Sequence, residues 1–188
     1  GPNRDASYPL NEEQKRVAGA PWSLPQLVLA PPGTGKTHTV IARIHHLIDV
    51  CGLHPRREIL VLCFTRAAVR EIIRRLSDLV NGQQVNDDLR FATVRTFDSF
   101  TSRLLAATDS ERDLSEKNFD ERIRLLVDAL RDPESEESSR VQDVRHLIVD
   151  EVQDLVGVRA SLVQALLSRI SGGFTLLGDP AQAIYGFS

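Results

Sequence analysis

Residues 30–37 read Ala-Pro-Pro-Gly-Thr-Gly-Lys-Thr and directly follow the apolar run Leu27-Val28-Leu29. A glycine-bent loop between a strand and a helix admits few folds. Gly33 and Gly35 let the backbone curl so that successive N–H groups point at one anion. The helix that starts there turns its positive end toward the same place. The loop therefore predicts a phosphate cradle of Pro32, Gly33, Thr34, Gly35, Lys36 and Thr37, built into an α/β sheet. Lys36 can reach the β- and γ-phosphates of a triphosphate, and the Thr37 hydroxyl can serve Mg²⁺. Ala30 stands where such loops usually open with Gly, and Pro32 removes one N–H from the crown.

Hydrophobic periodicity supplies the rest of the frame. Asn11 followed by Glu12 and Glu13 predicts a capped helix start. Gln26–Ala30 reads as a strand and Lys36–Val50 as a helix with Val40, Ile41, Ile44, Leu47 and Ile48 on one face. Glu58–Phe64 is apolar without alternation, as expected of a strand covered on both sides. Helix Arg66–Val80, strand Phe91–Val94, helices Phe97–Ala107 and Phe119–Leu130, strand His146–Val149, helix Val158–Ile170 and strand Phe174–Leu177 follow. Asp132–Ser139 reads as a polar, mobile linker. Strands alternating with helices predict a parallel sheet of five strands, or slightly more, with helices on both faces.

Two further strand ends carry chemistry. Leu147-Ile148-Val149 runs into Asp150-Glu151, so Asp150 can hold Mg²⁺ and Glu151 can orient the water that attacks the γ-phosphate. Phe174–Leu177 runs into Gly178-Asp179-Pro180-Ala181-Gln182, where Gln182 can bond the γ-phosphate and register its loss.

Composition narrows the setting. At 188 residues and 41% hydrophobic content the chain has enough material for one ordinary domain. Two cysteines suggest neither a disulfide framework nor a metal site, and no apolar stretch reaches membrane-spanning length, so a cytoplasmic protein is expected. The net charge of −3 is unevenly spread. Residues 54–75 hold six arginines against two acids, whereas residues 108–140 hold eleven acids against six bases. Gly1-Pro2 reads as a cloning remnant in an N-terminal tail of residues 1–7, with the domain proper at 8–188.

The ordered motifs together resemble the first RecA-like domain of superfamily 1 helicases of the UvrD/Rep/PcrA type, from residue 10 to residue 187. Leu10-Asn11-Glu12-Glu13-Gln14 resembles the adenine-reading motif, with Gln14 as the base contact. The phosphate loop and Asp150–Asp154 resemble the two Walker motifs. Cys63-Phe64-Thr65-Arg66 and Thr96-Phe97-Asp98-Ser99-Phe100 resemble two motifs that touch a single strand, and Gly178–Phe187 resembles the coupling motif. The resemblance implies a RecA-like P-loop NTPase that uses ATP and Mg²⁺. It implies a motor for single-stranded DNA, running 3′ to 5′, with Phe64, Thr65, Arg66, Thr96, Ser99 and Phe187 along the strand. Phe64 and Phe187 can stack on bases; Phe64 also fits as a core aromatic closing its strand. Asp98 replaces the family's usual His, and an acid there disfavours a phosphate contact. The stretch of about 101–145 stands in place of a full second subdomain. The second RecA-like domain, with its arginine finger, would lie in the parent chain beyond Ser188, so the isolated chain is expected to be weakly active or inactive. A nucleotide-dependent protein-interaction module and a phosphoryl-transfer kinase are the alternative readings.

Overall fold

The computed structural model describes residues 10–23, 26–29, 34–82 and 85–178. Five parallel strands form one sheet: β1 (Gln26–Leu29), β2 (Ile59–Cys63), β3 (Thr93–Thr96), β4 (His146–Val149) and β5 (Gly173–Gly178). Their order is β1-β5-β4-β2-β3. Leu29 pairs in register with Gly178, Val149 with Leu176, Leu62 with Val149 and Cys63 with Thr96. Because every strand runs the same way, all the strand ends expected to carry chemistry emerge on one edge.

Alternate residues of the strands supply two separate cores. Ile59, Val61, Cys63, Val94, Ile148 and Leu177 face helices α2 (Thr34–Asp49) and α3 (Arg66–Asn81), with Val17 of α1 (Glu12–Ala18) at the margin. Leu60, Leu62, Leu147, Val149 and Leu176 face the other helices: α4 (Phe97–Thr108), α5 (Phe119–Arg131), α6 (Glu136–Val141) and α7 (Gly157–Arg169). Burial on both sides explains why these strands read as unbroken apolar runs rather than alternating ones.

Caps set where the helices begin. Asn11 and Asn118 each close a capping box, with Gln14 and Glu121 respectively. Thr65, Thr96 and Ser135 accept hydrogen bonds from the N–H groups of Ala68, Ser99 and Ser138.

Two expectations need correction. The strand expected at Phe91–Val94 lies at Thr93–Thr96; Asp87–Phe91 is instead a 3-10 turn capped by Asn86. The linker expected at Asp132–Ser139 is ordered by α6, where the Ser135 hydroxyl bonds Ala129 O at 2.6 Å. Its Glu137 is buried and accepts from Thr108 Oγ1 at 2.8 Å and Arg112 Nη2 at 3.4 Å. A charged composition was outweighed there by partners for the buried carboxylate. Residues 101–145 carry the two expected helices and α6, and Leu105, Ile123, Leu126, Leu130 and Val141 cover one face of the sheet.

Candidate nucleotide site and its surroundings

Lys36 lies in the first turn of α2 and Asp150-Glu151 directly follow β4, 115 residues later in the chain. The sheet brings them together. Lys36 Nζ lies 3.2 Å from Asp150 Oδ1 and also contacts Glu151 Oε1. Lys36 and Asp150 are 5% and 7% exposed, so this is a buried cation between two acids. Burial opposes the ammonium's charge, but the hydrogen bond to Glu151 and the field of Asp150 outweigh it and hold the Lys36 pKa above its usual value. Burial pushes the Asp150 carboxyl upward, with the Lys36 charge pulling it partly back. Cys63, at the end of β2, has its thiol pushed up to about 12 by burial and by Asp150, so it is inert as a nucleophile.

The backbone at the acidic pair is unusual. Glu151 is the only non-glycine residue with positive φ among the described residues, at φ 60° and ψ 50°. Its N–H donates to Asp150 Oδ1 at 2.9 Å, and the Asp150 N–H donates to Leu62 O at 3.1 Å. A left-handed glutamate costs of order 1–2 kcal/mol, and such outliers cluster where a side chain must be aimed.

Gln14 approaches the same edge from α1. Its Nε2 donates to Gly35 O at 3.3 Å, while its Oε1 accepts from Asn11 N–H at 2.9 Å. The amide keeps one N–H and one lone pair for a further partner. A Cβ on Gly35 would meet Gln14 Nε2 at 2.8 Å, so this glycine makes room for the glutamine. Thr39 Oγ1 donates to the same Gly35 carbonyl at 2.8 Å.

Further along α2 sits a group that the motif pattern did not single out. Arg43 is 0% exposed and donates to the carbonyl of Ala18, the last residue of α1, at 3.3 Å, and to two carbonyls just beyond the helix, Pro21 at 3.1 Å and Ala20. It has no ion-pair partner among the described residues, and burial pulls its pKa down to about 10, which leaves it charged at neutral pH. Helix-end carbonyls are a fitting counterweight for such a cation. The signal was present in the sequence: Arg43 interrupts the apolar stripe of Val40, Ile44 and Leu47.

A second buried titratable group ties β4 to β5. His146 Nδ1 donates to Trp22 O at 2.8 Å, since a carbonyl can only accept. Nε2 therefore accepts from Thr175 Oγ1 at 2.8 Å. Burial pulls the His146 pKa down to about 4, so the ring is neutral.

The residues expected along a nucleic-acid strand divide. Arg66 is exposed in the first turn of α3. The Thr65 and Thr96 hydroxyls are engaged as helix caps at 3.1 and 3.0 Å, the latter with the N–H of Ser99. Phe64 is half-buried and packs on the fully buried Phe97 with ring centroids 4.8 Å apart. Asp98 is paired: Arg159 of α7 donates to it at 2.9 Å and to Asp120 of α5 at 3.2 Å. The acid that replaces the expected histidine is thus neutralised by a helix beginning just after the Asp150-Glu151 pair. Arg95 of β3 is half-buried with its pKa lowered, mainly by burial and secondarily by the like charge of Arg103.

Ala30, Pro32, Gly33, Gln182 and Phe187 lie outside the described residues; Thr34 is the first residue of α2. The donor set that remains, one carboxylate on Asp150 and one hydroxyl on Thr37, is all hard oxygen and suits Mg²⁺, which takes one or two protein ligands and completes its shell with phosphate and water. No cluster of three or more His, Cys, Asp or Glu able to hold a metal alone exists among the described residues. None of the described helices is long and apolar enough to cross a membrane.

Comparison with known proteins gives a consistent answer. The family described as "UvrD/REP helicase N-terminal domain" matches residues 10–120 and 109–188. A putative ATP-dependent DNA helicase of Acanthamoeba polyphaga mimivirus is 26% identical over 160 residues, covering 85% of this chain and 23% of the relative. The ATP-dependent DNA helicase SRS2 of Saccharomyces cerevisiae is 31% identical over 134 residues, covering 65% and 11%. DNA helicase II of Escherichia coli is 32% identical over 129 residues, covering 65% and 17%. The chain therefore spans less than a quarter of the length of these curated relatives.

Proposed function

From a chain that belongs to the UvrD/REP helicase family and spans its N-terminal domain, we propose the ATP-binding and ATP-hydrolysing motor domain of a single-stranded-DNA translocase or helicase. The observation that carries this reading is the convergence of Lys36 with both Asp150 and Glu151 at the head of α2. The lysine neutralises the two acids. When a triphosphate takes its place in the cradle, Lys36 exchanges its carboxylate partners for phosphate oxygens. Asp150 and Thr37 would hold Mg²⁺ there, and the ion would shield the phosphate charges. Glu151, on its left-handed backbone, is aimed to hold the attacking water and accept its proton. Gln14 offers its remaining N–H and lone pair to the adenine.

The single strand would run over the ends of β2 and β3. Arg66 supplies charge to phosphates there, and the Phe64 face not packed on Phe97 is offered to a base. Ser99, Thr65 and Thr96 line the same edge; the two threonine hydroxyls accept the capping N–H bonds and keep their own O–H to donate to a phosphate. Gln182 and Phe187 complete the γ-phosphate sensor and the strand contact in this proposal. The 3′-to-5′ direction and a second motor domain in the parent chain rest on the family alone.

Two measurements test the reading. Lys36→Ala should abolish ATP binding by the chain, and Glu151→Gln should spare binding while stopping turnover. Hydrolysis by the full-length parent should rise with added single-stranded DNA. Binding that survives Lys36→Ala overturns the nucleotide site; hydrolysis indifferent to DNA favours the interaction module instead.

A further inference from the structure

Helix α1 is only seven residues long, too short to hold its own shape in water. Its position over the phosphate helix must come from contacts. One is the bond from Gln14 to Gly35 O, long at 3.3 Å and partly exposed. Another is the packing of Val17 against the α2 side of the core. The third is the Arg43 guanidinium, wholly buried, whose two terminal nitrogens reach the carbonyls of Ala18, Ala20 and Pro21. Charge-assisted bonds are the stronger kind, and a planar fork fixes direction as well as distance. Arg43 and Lys36 belong to one rigid helix, seven residues apart. The cation that locks α1 and the cation proposed for the phosphates thus move as one piece.

We propose that Arg43 is a positioning residue for base recognition: by clamping onto α2 the last carbonyl of α1 and two carbonyls of the segment that leaves it, it sets Gln14 at a fixed offset from Lys36, so that adenine preference depends on a side chain that touches no nucleotide. The proposal rests on the nucleotide-site reading above. It assigns the two ends of the ligand to different dependences. The phosphate end takes no residue from α1, whereas the base end depends on α2 and α1 held together.

The test compares ATP with inorganic tripolyphosphate as titrants, in Mg²⁺, on the wild-type chain and on Arg43→Gln and Arg43→Lys. Each ratio is taken within one protein, so a general loss of folded material cancels. Arg43→Gln should weaken ATP about tenfold, the size of one or two lost base hydrogen bonds, and change tripolyphosphate less than about twofold. Arg43→Lys, which keeps the charge and one donor group, should recover part of the preference for ATP. Equal weakening of both titrants, loss of both, or no change in either overturns the proposal. Lys36→Ala separates it from its premise: tripolyphosphate binding that survives this change refutes the phosphate site itself, while a Lys36-dependent site with equal factors in the Arg43 variants refutes only the clamp.

Discussion

Replacing Glu151 by alanine and by glycine isolates the strain stored at the acidic pair. Both variants lose the same contact with Lys36, so they differ only in what the backbone at φ 60° and ψ 50° demands. For an L-residue the left-handed conformation costs about 1–2 kcal/mol, a cost that glycine does not carry. Against this, glycine loses more chain entropy on folding, about 0.5–1 kcal/mol relative to alanine. At the middle of both ranges the difference leaves Glu151→Gly more stable than Glu151→Ala by about 0.75 kcal/mol, between limits of about 0 and 1.5. For a chain of this size that is a higher melting midpoint by about 1–4 °C. Urea and thermal unfolding of the two variants side by side measure it directly. The sign carries the test, because at an ordinary backbone position alanine is the more stable of the two. An alanine variant more stable than the glycine variant would refute the strained geometry, and with it the claim that the fold holds Glu151 in a conformation it would not choose.

Three other outcomes follow from the titratable groups. His146 has a folded pKa of about 4 against 6.5 when unfolded, so the unfolded chain takes up a proton that the folded chain refuses; stability present above pH 6.5 is lost as pH falls, by about 2 kcal/mol between pH 7 and 5. His146→Asn, which keeps a donor for Trp22 O, should flatten that slope in pH-dependent unfolding. Lys36→Met leaves Asp150 buried beside Glu151 without its cation, and the folded pKa of Asp150, already above its unfolded value, should rise further; the variant should lose about 3–5 kcal/mol at pH 7 and regain part of it as pH falls and Asp150 is protonated. A double-mutant cycle of Asp98→Ala and Arg159→Ala should give a coupling energy of about 0.5–1 kcal/mol, small because Arg159 is partly exposed, and weaker in high salt.

Much of the site could be read locally. A glycine-rich turn after an apolar run, an acidic pair after another, and Asn11 ahead of two glutamates are statements about neighbours in the chain, and periodicity reports which faces are covered. Boundaries slipped where two local preferences competed: Asp87–Phe91 offered a capped 3-10 turn, which moved β3 two residues onward. The region 132–139 was misread because composition counts charges without knowing their partners, and Glu137 finds Thr108 and Arg112 only after α4 and α6 pack.

The sequence by itself determined the parts: a glycine-rich segment with a lysine to follow it, two acids at a strand's end, and strands apolar enough to be covered twice. The tertiary structure decided who meets whom. Only the crossovers that place β5 between β1 and β4 bring Lys36 to residues 115 positions away. Only helix packing gives Asp98 its arginine and Arg43 its three carbonyls. The reason is physical: propensity and periodicity act over a few residues, whereas a buried charge is tolerated only where the fold as a whole delivers its partner.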